Sequence, residues 1–220
     1  MERDLFTRAA APLPMPAGAA HLAGFALAWE EALLKELARI TAAAPLRHMV
    51  TPGGQPMSVA MTNCGALGWV SDRRGYRYVE RDPESGAPWP ALPDAIRELA
   101  IAAARHAGYA GFEPDACLIN RYAPGARMSL HQDRDEQDQA APIVSVSLGL
   151  PAVFLFGGLT RRERPLRVPL VHCDVVVWGG PARLAYHGVA PVADGHHPKL
   201  GPQRINLTLR RARPPNINAR

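Results

Sequence analysis

Two histidines and one aspartate form the clearest chemical pattern in the chain. His131 and Asp133 are separated only by Gln132, and His187 lies far downstream. Side chains alternate between the two faces of a β-strand, so a strand would place His131 and Asp133 on the same side. Non-haem iron(II) oxygenases bind their metal with two histidines and a carboxylate on one face of the ion. The pattern predicts a catalytic iron(II) site of His131, Asp133 and His187.

The HxD spacing is weak on its own, because a second example occurs at His172-Cys173-Asp174. Asp174 directly precedes the apolar run 175–178, and an Asp at such a strand edge normally caps a turn. We therefore interpret Asp174 as a turn residue and keep His131 and Asp133 as the metal pair.

Residues 204–210 read as a β-strand with two chemically different faces. Ile205, Leu207 and Leu209 share one face; the polar residues Arg204, Asn206, Thr208 and Arg210 share the other. Guanidinium groups bind carboxylates through two parallel hydrogen bonds, so two arginines on one face favour a carboxylate ligand. The simpler alternative is that the polar face is solvated.

Elements that could position these residues follow from the hydrophobic periodicity. Apolar residues at helical spacing predict one helix over 27–43 and a second from Pro93 to just before Gly108. Short strands are predicted at 116–122, 143–149, 152–157, 166–171, 174–178 and 203–210. The fold class is α+β, mainly β, and is a sandwich, barrel or jelly roll with the N-terminal helices packed outside.

The composition limits the number of domains and the class of protein. The chain has 220 residues, 47% of them hydrophobic, which suits one domain. Its net charge of +5 is compatible with a phosphate-bearing partner and equally with ordinary solubility charge. Three cysteines without a CxxC pair favour reduced thiols and a cytoplasmic protein. No apolar run approaches the length of a membrane span.

The chain is predicted to divide into three parts. Residues 1–20, rich in Ala and Pro, are expected to form a flexible arm. The catalytic domain is expected over 21–213, with short strands and loops in its irregular residues 46–92. Residues 214–220 are expected to be a tail.

Several motifs together resemble the AlkB family of nucleic-acid dealkylating dioxygenases. They are Asn120-Arg121-Tyr122, His131-Gln132-Asp133-Arg134-Asp135, His187, the strand 204–210 and the segments 57–65 and 115–125. The resemblance covers roughly residues 20–210. It implies a double-stranded β-helix, or jelly roll, that uses iron(II), 2-oxoglutarate and dioxygen. It also implies that residues 46–92 form a nucleotide-recognition lid.

The same resemblance implies roles for individual residues. Iron would be bound by the His131, Asp133 and His187 set. Arg204 and Arg210 are similar to the residues that bind the carboxylates of 2-oxoglutarate, and Asn120, Tyr122 and Asn206 are similar to its other contacts.

On the substrate side, Trp69 and the iron-bound His131 would sandwich a flipped base. Asp135 would accept a hydrogen bond from an exocyclic amine of a cationic lesion. The other implied substrate contacts are Tyr76, Tyr78 and Arg161. For Tyr78, packing in the core is an equally good interpretation.

The activity implied is oxidative demethylation of bases such as 1-methyladenine and 3-methylcytosine, with release of formaldehyde, succinate and CO2. This would be direct-reversal DNA repair by a monomer acting on alkylated DNA, with single strands favoured and duplex DNA and RNA as further candidates. Two alternatives stay open. One is a 2-oxoglutarate oxygenase acting on proteins or small molecules, and the other is a non-catalytic nucleic-acid-binding module.

Overall fold

The computed structural model describes residues 13–214, which form thirteen strands and two α-helices. In chain order the strands are β1 Ala19–Leu22, β2 Arg47–Val50, β3 Pro56–Gly65, β4 Gly68–Asp72, β5 Gly75–Val79, β6 Ala116–Tyr122, β7 Met128–His131, β8 Ile143–Gly149, β9 Ala152–Phe156, β10 Leu166–Leu170, β11 Val175–Trp178, β12 His187–Val189 and β13 Arg204–Arg210. The helices are α1 Glu30–Ala43 and α2 Asp94–His106.

Two antiparallel sheets make up the body of the fold. The major sheet has seven strands in the order β1-β11-β8-β13-β6-β3-β2, and the minor sheet has four in the order β10-β9-β12-β7. Strands β4 and β5 form a separate hairpin. Non-consecutive neighbours in both sheets give a jelly roll, which is one of the three arrangements that the strand pattern left open and the one that the family resemblance implies.

The major sheet separates two apolar layers because its side chains alternate between faces. On β6, Cys117 and Ile119 pack with the helices, whereas Leu118 and Tyr122 belong to the layer shared with the minor sheet. The helices contribute eight buried side chains to the first layer: Leu33, Leu37, Ile40, Ile96, Leu99, Ala100, Ala103 and Ala104. The helices therefore lie on the face of the sheet that points away from the minor sheet.

Strand β13 has the two-faced character that its sequence predicts. It pairs with β6 on one side and β8 on the other, in the middle of the major sheet. Ile205, Leu207 and Leu209 pack with the helices. Arg204 and Arg210 on the opposite face are 1% and 6% exposed, so the solvated alternative for this face is wrong.

Most elements confirm the sequence prediction. The first helix is preceded by a 3-10 turn, Leu27–Trp29, which together with α1 covers the predicted range. The second begins one residue after Pro93 and ends before Gly108. The six predicted strands are all present, within a residue or two of their expected ends. Among the described residues, neither helix is long and apolar enough to cross a membrane.

The N-terminal arm needs a correction. Residues 1–12 lie outside the described residues, but Ala19–Leu22 pairs with Val175–Trp178 at the edge of the major sheet. This strand is fixed by its partner and has no periodic signal of its own. The domain, expected from residue 21, therefore begins no later than β1. Of the expected tail, residues 215–220 also lie outside the described residues.

The region 46–92 is more regular than its Gly and Pro content suggests. Strands β2 and β3 belong to the major sheet, and only the hairpin of β4 and β5 stands outside both sheets. Val59 through Gly65 are all buried, so β3 lacks the polar-apolar alternation by which half-exposed strands are recognised.

Leu99 offers a test of the helix-to-sheet layer. It is fully buried on α2 against the major sheet. Replacing it with Ala leaves a cavity, so we expect Leu99→Ala to lower the free energy of unfolding by about 2–5 kcal/mol in urea denaturation. The exposed Leu27→Ala is the control. Equal stability of the two variants would contradict the assignment of this layer.

Candidate metal and cosubstrate site

The structure brings together the three residues predicted to bind iron. Strands β7 and β12 pair so that His131 lies directly opposite His187. The Nε2 atoms of His131 and His187 lie 3.6 and 3.7 Å from the two carboxylate oxygens of Asp133. All three ligand atoms lie within 4.8 Å of one another, which suits a single metal ion.

Both histidines are held with Nε2 facing the centre of the group. Nδ1 of His131 is 2.9 Å from the carbonyl oxygen of Ser129, and Nδ1 of His187 is 3.0 Å from that of Ala185. A carbonyl only accepts, so each Nδ1 carries the proton and each Nε2 presents its lone pair. Burial and the adjacent His131 lower the pKa of His187 to about 4, which keeps this ring neutral at pH 7.

Asp133 is kept ionised by a buried arginine. Nε and Nη2 of Arg210 donate to Oδ2 of Asp133 at 2.9 and 2.5 Å. Burial raises the pKa of Asp133, but Arg210 and the two histidines outweigh burial and hold this pKa below the ordinary value. A carboxylate is therefore available to a metal ion at neutral pH.

Sequence reasoning missed Glu136 and Arg183, which fix the segment that carries Asp133. Arg183 donates from Nη1 to the backbone oxygen of Asp133 at 2.7 Å and from Nη2 to Glu136 at 2.9 Å. Glu136 also accepts from the hydroxyl of Tyr78 at 2.6 Å. Nothing in the local sequence distinguishes this buried Arg183 from a surface arginine.

Arg204 has the surroundings expected of an anion-binding group. Its guanidinium lies over the ring of Tyr122 at 4.9 Å, and its Nε donates to Oγ of Ser147 at 3.1 Å. Its Nη1 is buried without a hydrogen-bond partner, and no carboxylate of the described residues pairs with Arg204. A buried cation needs a counter-charge, so a carboxylate of 2-oxoglutarate fits this position.

Polar side chains beside Arg204 complete the pocket. Nδ2 of Asn120 donates to Asn206 at 3.2 Å, and Nδ2 of Asn206 donates to Ser145 at 2.8 Å. Oδ1 of Asn120 is buried and unpartnered. Sequence reasoning missed Ser145 and Ser147, although both lie on the predicted strand 143–149.

One cavity of about 700 Å³ joins these groups to the expected substrate residues. Its walls include the metal set His131, Asp133 and His187, the expected cosubstrate contacts Asn120, Tyr122, Arg204, Asn206 and Arg210, and the expected substrate contacts Trp69, Tyr76, Asp135 and Arg161. A cavity of this size accommodates a cosubstrate and part of a nucleotide.

At the cavity, Trp69 contacts both an aromatic ring and a carboxylate. Its ring is stacked on Tyr76 with centroids 5.5 Å apart, and its Nε1 donates to Oδ2 of Asp135 at 2.8 Å. Tyr78 is not among the cavity residues, because it packs beside Leu67 and bonds to Glu136. The structure thus favours the packing interpretation of Tyr78.

The second HxD motif is built into the scaffold, as the turn interpretation predicts. Asp174 accepts from the backbone nitrogens of Gly24 and Val171 at 2.8 and 2.9 Å. His172 accepts from the backbone nitrogen of Gly149 through Nδ1, so its Nε2 donates to Glu30. These contacts join the N-terminal segment to the major sheet.

Comparison with known proteins agrees with this geometry. Residues 18–210 match the family model of the 2OG-Fe(II) oxygenase superfamily. The chain is 57% identical to the alpha-ketoglutarate-dependent dioxygenase AlkB of Salmonella typhimurium and 56% identical to that of Escherichia coli, in each case over 90% of this chain and 92% of the relative. The solved structure of OsALKBH1 superposes with a TM-score of 0.80 at 25% identity, covering 91% of this chain and all of that one.

Gly188 tests how closely the two histidine strands must approach. A Cβ at this position would lie 2.6 Å from the backbone oxygen of Met128 on β7. We expect Gly188→Ala to push β7 and β12 apart, at a cost of about 1–3 kcal/mol. Calorimetric titration with Mn(II) should then show at least about tenfold weaker binding, since His131 and His187 separate. Gly53→Ala is the control, because a Cβ there would meet only Oγ1 of Thr51 at 3.9 Å, and unchanged Mn(II) affinity of Gly188→Ala would contradict this account.

Proposed function

The chain belongs to the 2OG-Fe(II) oxygenase superfamily and, within it, to the AlkB dioxygenases, and we propose that it removes N-alkyl groups from nucleic-acid bases by oxidation. The observation that carries the proposal is the single cavity shared by the His-Asp-His set, the unpaired Arg204 and the stacked Trp69. An iron oxygenase for small molecules needs the first two features and gives Trp69 no role.

When bound, iron(II) with 2-oxoglutarate and dioxygen would supply the oxidation: one oxygen atom would hydroxylate the N-methyl group, which would be lost as formaldehyde, and the other would go to succinate as 2-oxoglutarate releases CO2. We propose that His131, Asp133 and His187 hold the metal. Their ligand atoms lie close together, and a hydrogen bond holds each of the three side chains in place. The remaining positions of the metal would then face the cavity.

For 2-oxoglutarate, we propose that Arg204 is the main carboxylate anchor. Arg210 is already bonded to Asp133 and so has a positioning role as well as any contact with the cosubstrate. Asn120, Tyr122 and Asn206 would supply further polar contacts, and the unpartnered Oδ1 of Asn120 supports this.

For the base, we propose that Trp69 and His131 stack on its two faces and that Asp135 accepts from its exocyclic amine. Tyr76 and Arg161, which line the cavity, would contact the nucleotide. The β4–β5 hairpin, which carries Trp69 and Tyr76 outside both sheets, is the part of residues 46–92 that can act as a lid. Tyr78 would support this hairpin through Glu136 without touching substrate.

We further propose alkylated single strands as the favoured substrates, because a paired base must first be unstacked and unpaired to reach such a cavity. A monomer is proposed because the exposed large apolar residues of residues 13–214 are only Leu27, Tyr76, Leu159 and Leu166. The cytoplasm is proposed as the compartment, since Cys64, Cys117 and Cys173 are free thiols.

The variant Arg204→Met should weaken the binding of 2-oxoglutarate without lowering the stability of the protein. Removing the anchor of a buried carboxylate costs about 2–5 kcal/mol, so 2-oxoglutarate affinity should fall more than about tenfold. Removing an unpaired buried charge should leave the thermal stability of the cofactor-free protein equal or higher. Calorimetry with 2-oxoglutarate and a melting curve measure the two effects. Loss of stability together with unchanged 2-oxoglutarate affinity would refute the assignment.

The activity is tested on a single-stranded oligonucleotide carrying 3-methylcytosine, with iron(II) and 2-oxoglutarate. We expect restored cytosine and equal amounts of formaldehyde and succinate. Trp69→Ala should raise KM strongly for the oligonucleotide, because base stacking is worth about 1–3 kcal/mol. Duplex DNA, RNA and a methylated peptide are assayed as alternative substrates. Turnover of the peptide in preference to every nucleic acid would count against a base dealkylase.

A further inference from the structure

The turn between β9 and β10 carries an unusual concentration of uncompensated positive charge. Arg161, Arg162 and Arg164 are all exposed. Among residues 13–214, none of the three forms an ion pair or a side-chain hydrogen bond. Eight other arginines of the described residues do pair with carboxylates: Arg39, Arg47, Arg77, Arg97, Arg183, Arg210, Arg211 and Arg213.

The one acidic residue of this turn does not neutralise it. Oε1 of Glu163 accepts from the backbone nitrogen and the hydroxyl of Thr160 at 3.0 and 2.8 Å. The carboxylate is thereby bent back onto its own turn, against Gly158, where even a Cβ would collide with it. The turn therefore keeps a net positive charge, and Glu163 forms no ion pair with any of the three guanidinium groups.

The base of the turn is attached to the metal site. Gly157 donates its backbone N–H to the oxygen of Tyr186 at 2.7 Å, and Tyr186 donates back to Gly158 at 2.8 Å. Tyr186 immediately precedes His187, and both line the cavity together with Arg161. The basic turn is therefore held in a defined position beside the mouth of the cavity.

Arg167 lies in the same stretch of sequence but on a different surface. It is exposed on β10, next to Val168, which is buried between the two sheets. Because side chains alternate along a strand, Arg167 points to the outer face of the minor sheet. The basic turn beside the mouth therefore consists of residues 161–164 and does not include Arg167.

We propose that Arg162 and Arg164, which lie just outside the cavity lined by Arg161, bind backbone phosphates of the strand beyond the immediate neighbours of the base in the cavity. The inference rests on the proposed function and extends it from the flipped nucleotide to the strand on either side. Uncompensated guanidinium groups fit phosphate, which they bind through two hydrogen bonds. The Arg162 and Arg164 contacts would carry no sequence information and would set affinity and salt dependence.

The test compares a long and a short substrate on the holoenzyme. The probes are a 3-methylcytosine oligonucleotide of about 12 nucleotides, long enough to follow a single-strand groove, and a 3-methylcytosine trinucleotide. The variant is Arg162→Gln with Arg164→Gln. The control is Lys35→Gln with Arg105→Gln, which likewise removes two exposed charges without ion pairs, from α1 and α2 on the far face of the major sheet.

We expect the turn variant to raise KM for the long substrate by roughly ten- to thirtyfold at about 0.1 M salt, with kcat unchanged. The plot of log affinity against log salt has a negative slope, which should become shallower by about 1.4, since each phosphate contact on a single strand contributes about 0.7. The trinucleotide should react with wild-type constants, and the helix control should behave as wild type on both substrates.

Three outcomes would overturn the inference: equal effects on both substrates, an unchanged salt slope, or the same loss in the helix control. Wild-type protein that turns over neither substrate would instead contradict the proposed function. The two failures are therefore distinguishable.

Discussion

The contact between Arg210 and Asp133 is the interaction on which the site depends. It joins β13, in the centre of the major sheet, to the segment after β7 that carries the metal carboxylate. Both groups are buried, and a buried carboxylate without a partner would take up a proton. The arginine keeps the carboxylate charged, and Glu136 and Arg183 complete a buried network around it. A metal-binding anion is thus maintained inside a hydrophobic shell.

This arrangement requires a sheet whose two faces have opposite chemistry. β13 packs Leu207 and its apolar neighbours against the helices, and the reverse face lines the cavity with Arg204, Asn206 and Arg210. The helices contribute nothing to the chemistry. Their role is to cover one side of the major sheet so that polar residues can be concentrated on the other side without exposing the core to water.

The sequence predicts the parts of the fold whose signal is local. The two-faced strand 204–210 and both helices have clear periodicities. The type and spacing of the three metal residues suggest the site, but only together with the arginines of that strand and the family resemblance do they distinguish it from the second HxD motif. The short strands β1, β7 and β12 were not delimited, because their pairing depends on partners distant in sequence. For the same reason the buried pair of Glu136 and Arg183 was missed. Both residues look like surface charges until the fold brings them together.

The hydrogen bond between Trp69 and Asp135 has a consequence for the proposed discrimination among damaged bases. The ring that would stack on a base and the carboxylate that would read its charge hold each other in place. Groups in direct contact contribute non-additively, so their energies cannot be divided between shape and charge. A double-mutant cycle on the pair should yield a coupling energy rather than a sum. Discrimination among lesions would then belong to one cooperative unit, lost as a whole when either member is removed.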